Sequence, residues 1–338
     1  AKLNWDSYRD GKPRLYSGGT LPIPLRYGGA HTHRLSGDWG MNPQNMPTEM
    51  KTKGKSKLRR SLKAPPGHLV VAADLGQIEA RLSAWLAGCK PLLDLFIRKE
   101  DPYADLATKI FGFKVDRKVH QVEGFIGKTG VLGLGYGCGA DKFFGMVEMM
   151  ARSMGVDLKG MWTPELAGKT VTTYRRVYRQ IYNLWQTLDG LLKTAWLGQC
   201  PPIQFGPGGI LEMGKGYVML RTNGLAMRYD KPHIDQTTGD LCYYYGESRH
   251  KIYGAKMMEN IIQFLARVIV SNAALRISDR GYKFKLQAHD ELVFICPVDN
   301  ISESMEIIET EMVRPPSWAP NLPLVTSINK GASYAEAK

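Results

Sequence analysis

The chain has 338 residues, 43% of them hydrophobic, with 45 Lys or Arg against 32 Asp or Glu and a net charge of +13 at pH 7. That length accommodates two or three domains around sizeable cores, and the apolar fraction is ordinary for a globular protein. No apolar run is expected to be long enough to cross a bilayer, and no signal-peptide pattern opens the chain. The five cysteines (Cys89, Cys138, Cys200, Cys242 and Cys296) stand singly with no CxxC pair, which points to a reducing compartment and away from structural zinc or a disulfide framework.

In chain order, residues 1–57 are rich in Gly, Pro and basic residues and read as loops and short strands. Residues 1–70 carry 13 Lys or Arg and 4 Asp or Glu, much of the excess in the run Lys51 to Arg60. Such a run is either a phosphate-binding surface or a solvated loop. Leu69 to Ala73 is a short apolar strand ending on Asp74. Ile78, Leu82, Trp85 and Leu86 then fall at helical spacing, with Gly88 as the stop. Residues 101–198 are mainly helical, with an apolar stripe from Val171 through Tyr174, Tyr178, Ile181, Trp185 and Leu188 to Leu192. Short strands occupy 200–250, with Asn223-Gly224 as a hairpin turn. A long helix is expected over 255–278, then strands around Asp290, a helix over Ser302 to Val313 and a last strand over Leu324 to Ile328. This order predicts an α+β fold with a sheet domain and a helical domain.

The segment Leu286 to Phe294, LQAHDELVF, reads as a buried strand carrying acids. Asp74 ends one apolar strand and Asp290 lies in another. Adjacent strands would bring both carboxylates to one sheet edge, where they repel unless a cation lies between them. Hard oxygen ligands suit Mg²⁺ or Mn²⁺. The plainer alternative is that each acid caps a turn.

The residues around these acids form longer motifs. DLGQIEARLSAWLAG from Asp74 resembles motif A of the family A, DNA polymerase I-like, DNA polymerases. GKTGVLGLGYGCG from Gly127 resembles their motif B, and LQAHDELVF is similar to motif C. Thr32 to Ser36 and Asn42 to Pro47 resemble the family's Arg-Leu-Ser and Asn-x-Gln-Asn-x-Pro segments. The four motifs come in the family's order, over about residues 20 to 335, with wording closest to phage-encoded members.

The resemblance implies a right-hand polymerase fold with an antiparallel palm sheet and helical fingers. Its expected parts are an N-terminal segment and first part of the palm over 1–98, fingers over 99–199 and the second part of the palm over 200–338. It implies a template-directed DNA polymerase core adding deoxynucleotides to a primer 3′-end. Asp74, Asp290 and the Leu75 carbonyl would ligate two Mg²⁺ ions, with Mn²⁺ as an alternative, in a two-metal phosphoryl transfer. Glu291 would support them or serve as an occasional ligand. Gln77, Glu79, Lys128, Leu132 and Tyr136 would meet the nucleotide, with Glu79 excluding a ribose 2′-hydroxyl. Lys128, Leu132 and Tyr136 are spaced i, i+4, i+8 and would share one helix face. The glycines around them, read alone, suggest a glycine-rich phosphate loop instead. Arg34, Gln44, Asn45, Asn260, Gln263, Gln287 and His289 would contact DNA.

The pattern departs from the family in places. The arginine common four residues before the motif B lysine is Gly124 here, with Arg117, Lys118 or His120 as substitutes. Leu132 stands where an aromatic residue is frequent, and Tyr103 where a histidine is. The closing GASYAEAK resembles the family's last segment, whereas the helical thumb and any 3′–5′ exonuclease would precede residue 20. The thumb is therefore expected to be largely absent, and the chain to be a fragment or to need a second polypeptide supplying thumb or exonuclease. The expected partners are primer-template DNA and dNTPs, with no membrane, in the cytoplasm of a cell or phage host. Two other readings are a non-catalytic DNA-binding subunit and a single-subunit RNA polymerase. Glu79 and the His-Asp-Glu of motif C weigh against the RNA polymerase.

Overall fold

The computed structural model describes residues 23–39, 42–47 and 57–338, together with the backbone of a small hairpin pairing Tyr8–Arg9 with Lys12–Pro13. The basic run from Lys51 to Ser56 lies outside the described residues. In chain order the main elements begin with strand β1 (His68–Leu75) and helices α1 (Ile78–Leu86), α2 (Lys90–Ile97), α3 (Pro102–Phe111) and α4 (Gln121–Gly133). Helices α5 (Ala140–Met154), α6 (Pro164–Val177) and α7 (Arg179–Leu191) follow, then short strands between Ile203 and Lys251. Helix α8 (Gly254–Asp279), strands β2 (Leu286–Ala288) and β3 (Glu291–Pro297), helix α9 (Ile301–Val313) and strand β4 (Thr326–Gly331) complete the chain. The chain divides into two compact units. One comprises Ala1–Ile78, Phe264–Ser317 and Leu324–Lys338; the other comprises Glu79–Gln263 and Trp318–Pro323.

The first unit is built on an antiparallel sheet of order β2-β3-β1-β4. Its central strand β1 is apolar on both faces, which is why Val70, Val71, Ala72, Ala73 and Leu75 run without alternation. One face carries a cluster of Val70, Ala72, Met46, Leu286, Val293, Tyr334 and Ala337. Helix α9 packs against β1 as well. Its buried Glu311 is held by Arg276, whose Nε donates at 2.9 Å.

The expected single strand over LQAHDELVF is corrected. It is a hairpin, with Ala288 paired to Glu291 and only His289 and Asp290 between the strands. His289 takes φ +57°, the left-handed geometry that a two-residue hairpin turn requires. Asp290 therefore sits in a turn at the sheet edge, not within a strand.

In the second unit the apolar stripe expected along residues 171–192 is buried as anticipated, but it spans two α-helices and ends at the start of the π-helical segment Leu192–Trp196. Tyr178, at φ −108° and ψ 47°, breaks the backbone between α6 and α7. The stripe stays in phase across the break because Tyr178 is itself fully buried. The strands Tyr217–Leu220 and Leu225–Arg228 pair around the expected Asn223-Gly224 turn, where Gly224 takes φ +72° and the Asn223 side chain accepts from Leu225 N.

Up to Gly133 the glycine-rich segment lies on helix α4, as the spacing of Lys128 and Leu132 implies, rather than in the loop its glycines alone suggest. Its glycines pack it closely: a Cβ on Gly127 would overlap the Tyr103 carbonyl oxygen and lie 2.8 Å from the Ala107 Cβ, both on α3. Close helix approach outweighs the intrinsic cost of glycine here, about 1 kcal/mol per residue.

The expectation that no segment could cross a bilayer is also corrected. Helix α8, at 26 residues, is long and apolar enough by length and composition, and two thirds of its most apolar window is buried inside the protein. Its apolarity follows from that burial. Among the described residues all five cysteines are free thiols.

Candidate active site

In the first unit, the register of β1 and β3 sets Glu291 directly opposite Asp74. The Leu75 amide donates to the Asp290 carbonyl at 3.2 Å, so the turn bearing Asp290 is tied to the strand end bearing Asp74. On the other side Ser327 is paired with Asp74, and the Thr326 hydroxyl donates to the Asp74 carbonyl at 3.0 Å. Asp74 and Asp290 are partly exposed, whereas Glu291 is 2% exposed. Leu75 is buried and paired with Thr326.

Burying a carboxylate requires partners. Glu291 accepts from the Tyr334 hydroxyl and from the Lys338 ammonium in short contacts, and Lys338 Nζ also lies 3.3 Å from Asp74 Oδ2. Burial, then the charge of Glu291, holds the Tyr334 hydroxyl well above its usual pKa. The Lys338 ammonium is raised by Glu291 and Asp74, although desolvation by burial, the largest influence on it, pulls the other way. Among the described residues no three His, Cys, Asp or Glu side chains close around a single point. The donor set nevertheless suits a cation, because one ammonium already bridges Asp74 and Glu291. Mg²⁺ commonly takes only one or two protein carboxylates and completes its shell with water and phosphate.

The other expected first-unit residues lie in the turn after β1, in the β2–β3 hairpin and in the segments before β1. Gln77 follows β1 at φ +57°, at the turn into α1. Gln287 is 3% exposed and its amide donates to the His289 carbonyl at 3.2 Å, which braces the hairpin turn. Gln44, also buried, donates to the Gln287 carbonyl at 3.1 Å. Both glutamines thus support the turn through the backbone, while Asn45 and His289 are exposed. Arg34 is partly exposed, in the loop beside the Leu25–Arg26 and Ser36–Gly37 strands.

In the second unit, Glu79 lies in the first turn of α1 and its Oε2 accepts from the Tyr136 hydroxyl at 3.0 Å. Burial, reinforced by Glu79, holds that hydroxyl well above its usual pKa. The i, i+4, i+8 face is cut short, because α4 ends at Gly133 and Tyr136 lies in a 3-10 turn (Leu134–Tyr136). The Trp185 indole fixes that turn by donating to the Gly135 carbonyl at 3.1 Å. Lys128 is partly exposed and Leu132 is 44% exposed on α4. A cavity of about 30 Å³ beside Leu132 is lined also by Glu79, Ser83, Val131, Tyr136 and Tyr174, room for about one water.

The Arg117 side chain fills the space where a side chain at position 124 would lie. Its guanidinium pairs with Asp101 at 2.7 Å and sits 5.0 Å over the Tyr103 ring. Asn260 is 5% exposed, and its amide donates to the Tyr229 hydroxyl at 3.2 Å. Gln263 is half-buried and donates to Glu259 at 3.3 Å.

Sequence reasoning passed over Tyr334 and Lys338 as site residues. Their spacing of four inside GASYAEAK, the segment already matched to the motif family, was the available signal.

Comparison with known proteins bears on the family and fold of the chain. The family described as DNA polymerase family A matches residues 25–192. The DNA polymerase of Bacillus phage SP02 is 30% identical over 273 residues, covering 76% of this chain and 40% of that protein. DNA polymerase I of Synechocystis sp. is 26% identical over 347 residues, covering 100% of this chain and 31% of that protein. The chain thus spans less than half the length of these two curated relatives. Among solved structures, the POL domain of Pol1 from M. smegmatis in complex with DNA primer-template and dNTP superposes with a TM-score of 0.69 at 21% identity. It covers 96% of this chain and 50% of that one. That likeness shows the α+β polymerase fold.

Proposed function

Because this chain belongs to DNA polymerase family A, we propose that it is the core of a DNA-directed DNA polymerase that adds deoxynucleotides to a primer 3′-end. The observation that carries the reading is the sheet edge where Asp74 faces Glu291, with Asp290 tied to Leu75 and a cation seated on two of the carboxylates. Asp74, Asp290 and the Leu75 carbonyl are the groups that would hold divalent metal, two Mg²⁺ ions or Mn²⁺ in their place. Bound metal supplies charge stabilisation for in-line phosphoryl transfer. Glu291, anchored by Tyr334, fixes the strand end on which Asp74 sits.

In the second unit Lys128 offers a point charge to triphosphate oxygens. Glu79, clamped by Tyr136, presents a rigid side chain against a ribose 2′-hydroxyl. In this reading residues 99–199 act as fingers, and 1–98 with 200–338 supply the palm. Arg34, Asn45 and His289 are the more accessible candidates for DNA contact. Gln44, Gln287, Asn260 and Gln263 would act while keeping their internal hydrogen bonds. A second polypeptide, or further segments of a longer chain, would supply the thumb and any 3′–5′ exonuclease, and the whole would work on primer-template in the cytoplasm of a cell or phage host.

The test is primer extension with Mg²⁺ and either dNTPs or rNTPs, comparing the chain with Asp74→Asn. Incorporation of dNTPs that disappears in the variant supports the reading, and equal incorporation by both sinks it.

A further inference from the structure

We propose that Lys338 is a resident counter-cation of the carboxylate site, holding Asp74 and Glu291 together without metal and having to withdraw before a divalent ion can bind Asp74. The inference rests on the functional reading above and goes beyond it, since it gives the chain its own occupant for that site.

The placement of Lys338 is built. The Tyr334 amide donates to the Leu62 carbonyl at 2.9 Å, and the amides of Glu336 and Ala337 both donate to the Ser333 carbonyl at 3.1 Å. The Glu336 carboxylate closes the turn by accepting from the Ala332 amide at 2.9 Å and the Ser333 hydroxyl at 3.1 Å. Tyr334 and Ala337 are buried in the cluster over β1 and β3, and the Arg59 guanidinium covers the Tyr334 ring at 4.9 Å. One turn therefore delivers two groups, a tyrosine hydroxyl and an ammonium, to the same carboxylates. Tyr334 and Lys338 both engage Glu291, and only Lys338 reaches Asp74.

A divalent ion bound to Asp74 would lie a few ångströms from the Lys338 ammonium, and two cations that close repel in a partly buried site. Binding of metal must therefore include the cost of moving Lys338, and the apparent affinity is lowered by that amount. A partly exposed ion pair of this kind corresponds to roughly a fivefold change in affinity, and more as burial increases.

The measurement is Mn²⁺ binding to the 338-residue chain, followed by the electron paramagnetic resonance signal of free Mn²⁺. The variants are Lys338→Met, Lys338→Gln and Asp74→Asn. Mn²⁺ should bind the two Lys338 variants at least about fivefold more tightly than the parent, and Asp74→Asn should lose the site. The Lys338 variants should also have a lower melting temperature than the parent without metal, because Asp74 and Glu291 then repel uncompensated. If Asp74→Asn loses binding but both Lys338 variants bind Mn²⁺ no more tightly than the parent, the counter-cation role is wrong and the metal site stands. If Asp74→Asn binds Mn²⁺ as the parent does, the metal assignment and the counter-cation role both fall.

Discussion

Replacing Gly127 with alanine tests whether packing or propensity governs the helix that carries Lys128. In an isolated helix the change is favourable by about 0.5–1 kcal/mol, because alanine loses less backbone entropy. Here the new methyl would overlap the Tyr103 carbonyl oxygen and crowd the Ala107 Cβ at 2.8 Å and its amide nitrogen at 3.1 Å. Two of these three atoms are backbone, so α3 and α4 must separate, and overpacking of this kind costs about 1–3 kcal/mol. The expected net loss is about 1–2 kcal/mol, or roughly 2–8 °C in melting temperature for a unit of this size.

Gly145 provides the internal control. It lies in the middle of α5, and a methyl added there would have nothing within 4 Å, so Gly145→Ala should gain about 0.5–1 kcal/mol. Thermal unfolding followed by tryptophan fluorescence compares the two. A Gly127→Ala variant as stable as Gly145→Ala would refute the close approach of the two helices. A destabilised Gly127→Ala should also bind dNTP less tightly, because Lys128 is the next residue on the displaced helix.

Asp74→Ala or Asp290→Ala should reduce nucleotide addition by several orders of magnitude while duplex binding, measured by fluorescence anisotropy, changes little, since backbone affinity comes from basic groups. Glu79→Ala should raise the use of rNTPs relative to dNTPs in single-nucleotide extension; an unchanged ratio would place the sugar discrimination elsewhere. The buried tyrosines give a pH dependence. Burial raises the hydroxyl pKa of Tyr136, Tyr174, Tyr178 and Tyr229 above the ordinary 10.0, so the unfolded chain releases their protons first as pH rises. Their contribution to stability is then complete below about pH 10 and lost progressively above it. Urea midpoints that stay flat between about pH 9 and 11.5 would contradict it.

The sheet was the readily legible part of the fold. An apolar run ending on an acid, and a second acid set among apolar residues, can share a sheet edge only if their strands are neighbours, and β1 and β3 are. The features that escaped the sequence share one physical origin, which is that local pattern and local geometry part company. LQAHDELVF is apolar on both sides of its turn, so periodicity runs straight through His289 and Asp290 while the backbone reverses. The stripe through Tyr178 likewise continues across a helix break. At Gly127 propensity alone argues for a loop, whereas the helix implied by the spacing of Lys128 and Leu132 packs closely against Tyr103 and Ala107, about twenty residues away in sequence.

Lys338 is the extreme case. It reaches Asp74 across 264 positions, and nothing in either segment's own pattern requires the contact. Its cause lies in the burial of Glu291, which pairing with β1 brings about and which hydrogen-bond donors and a positive charge then stabilise. The Tyr334-to-Lys338 turn provides both, so the same strand register that assembles the carboxylates also creates the demand for the lysine between them.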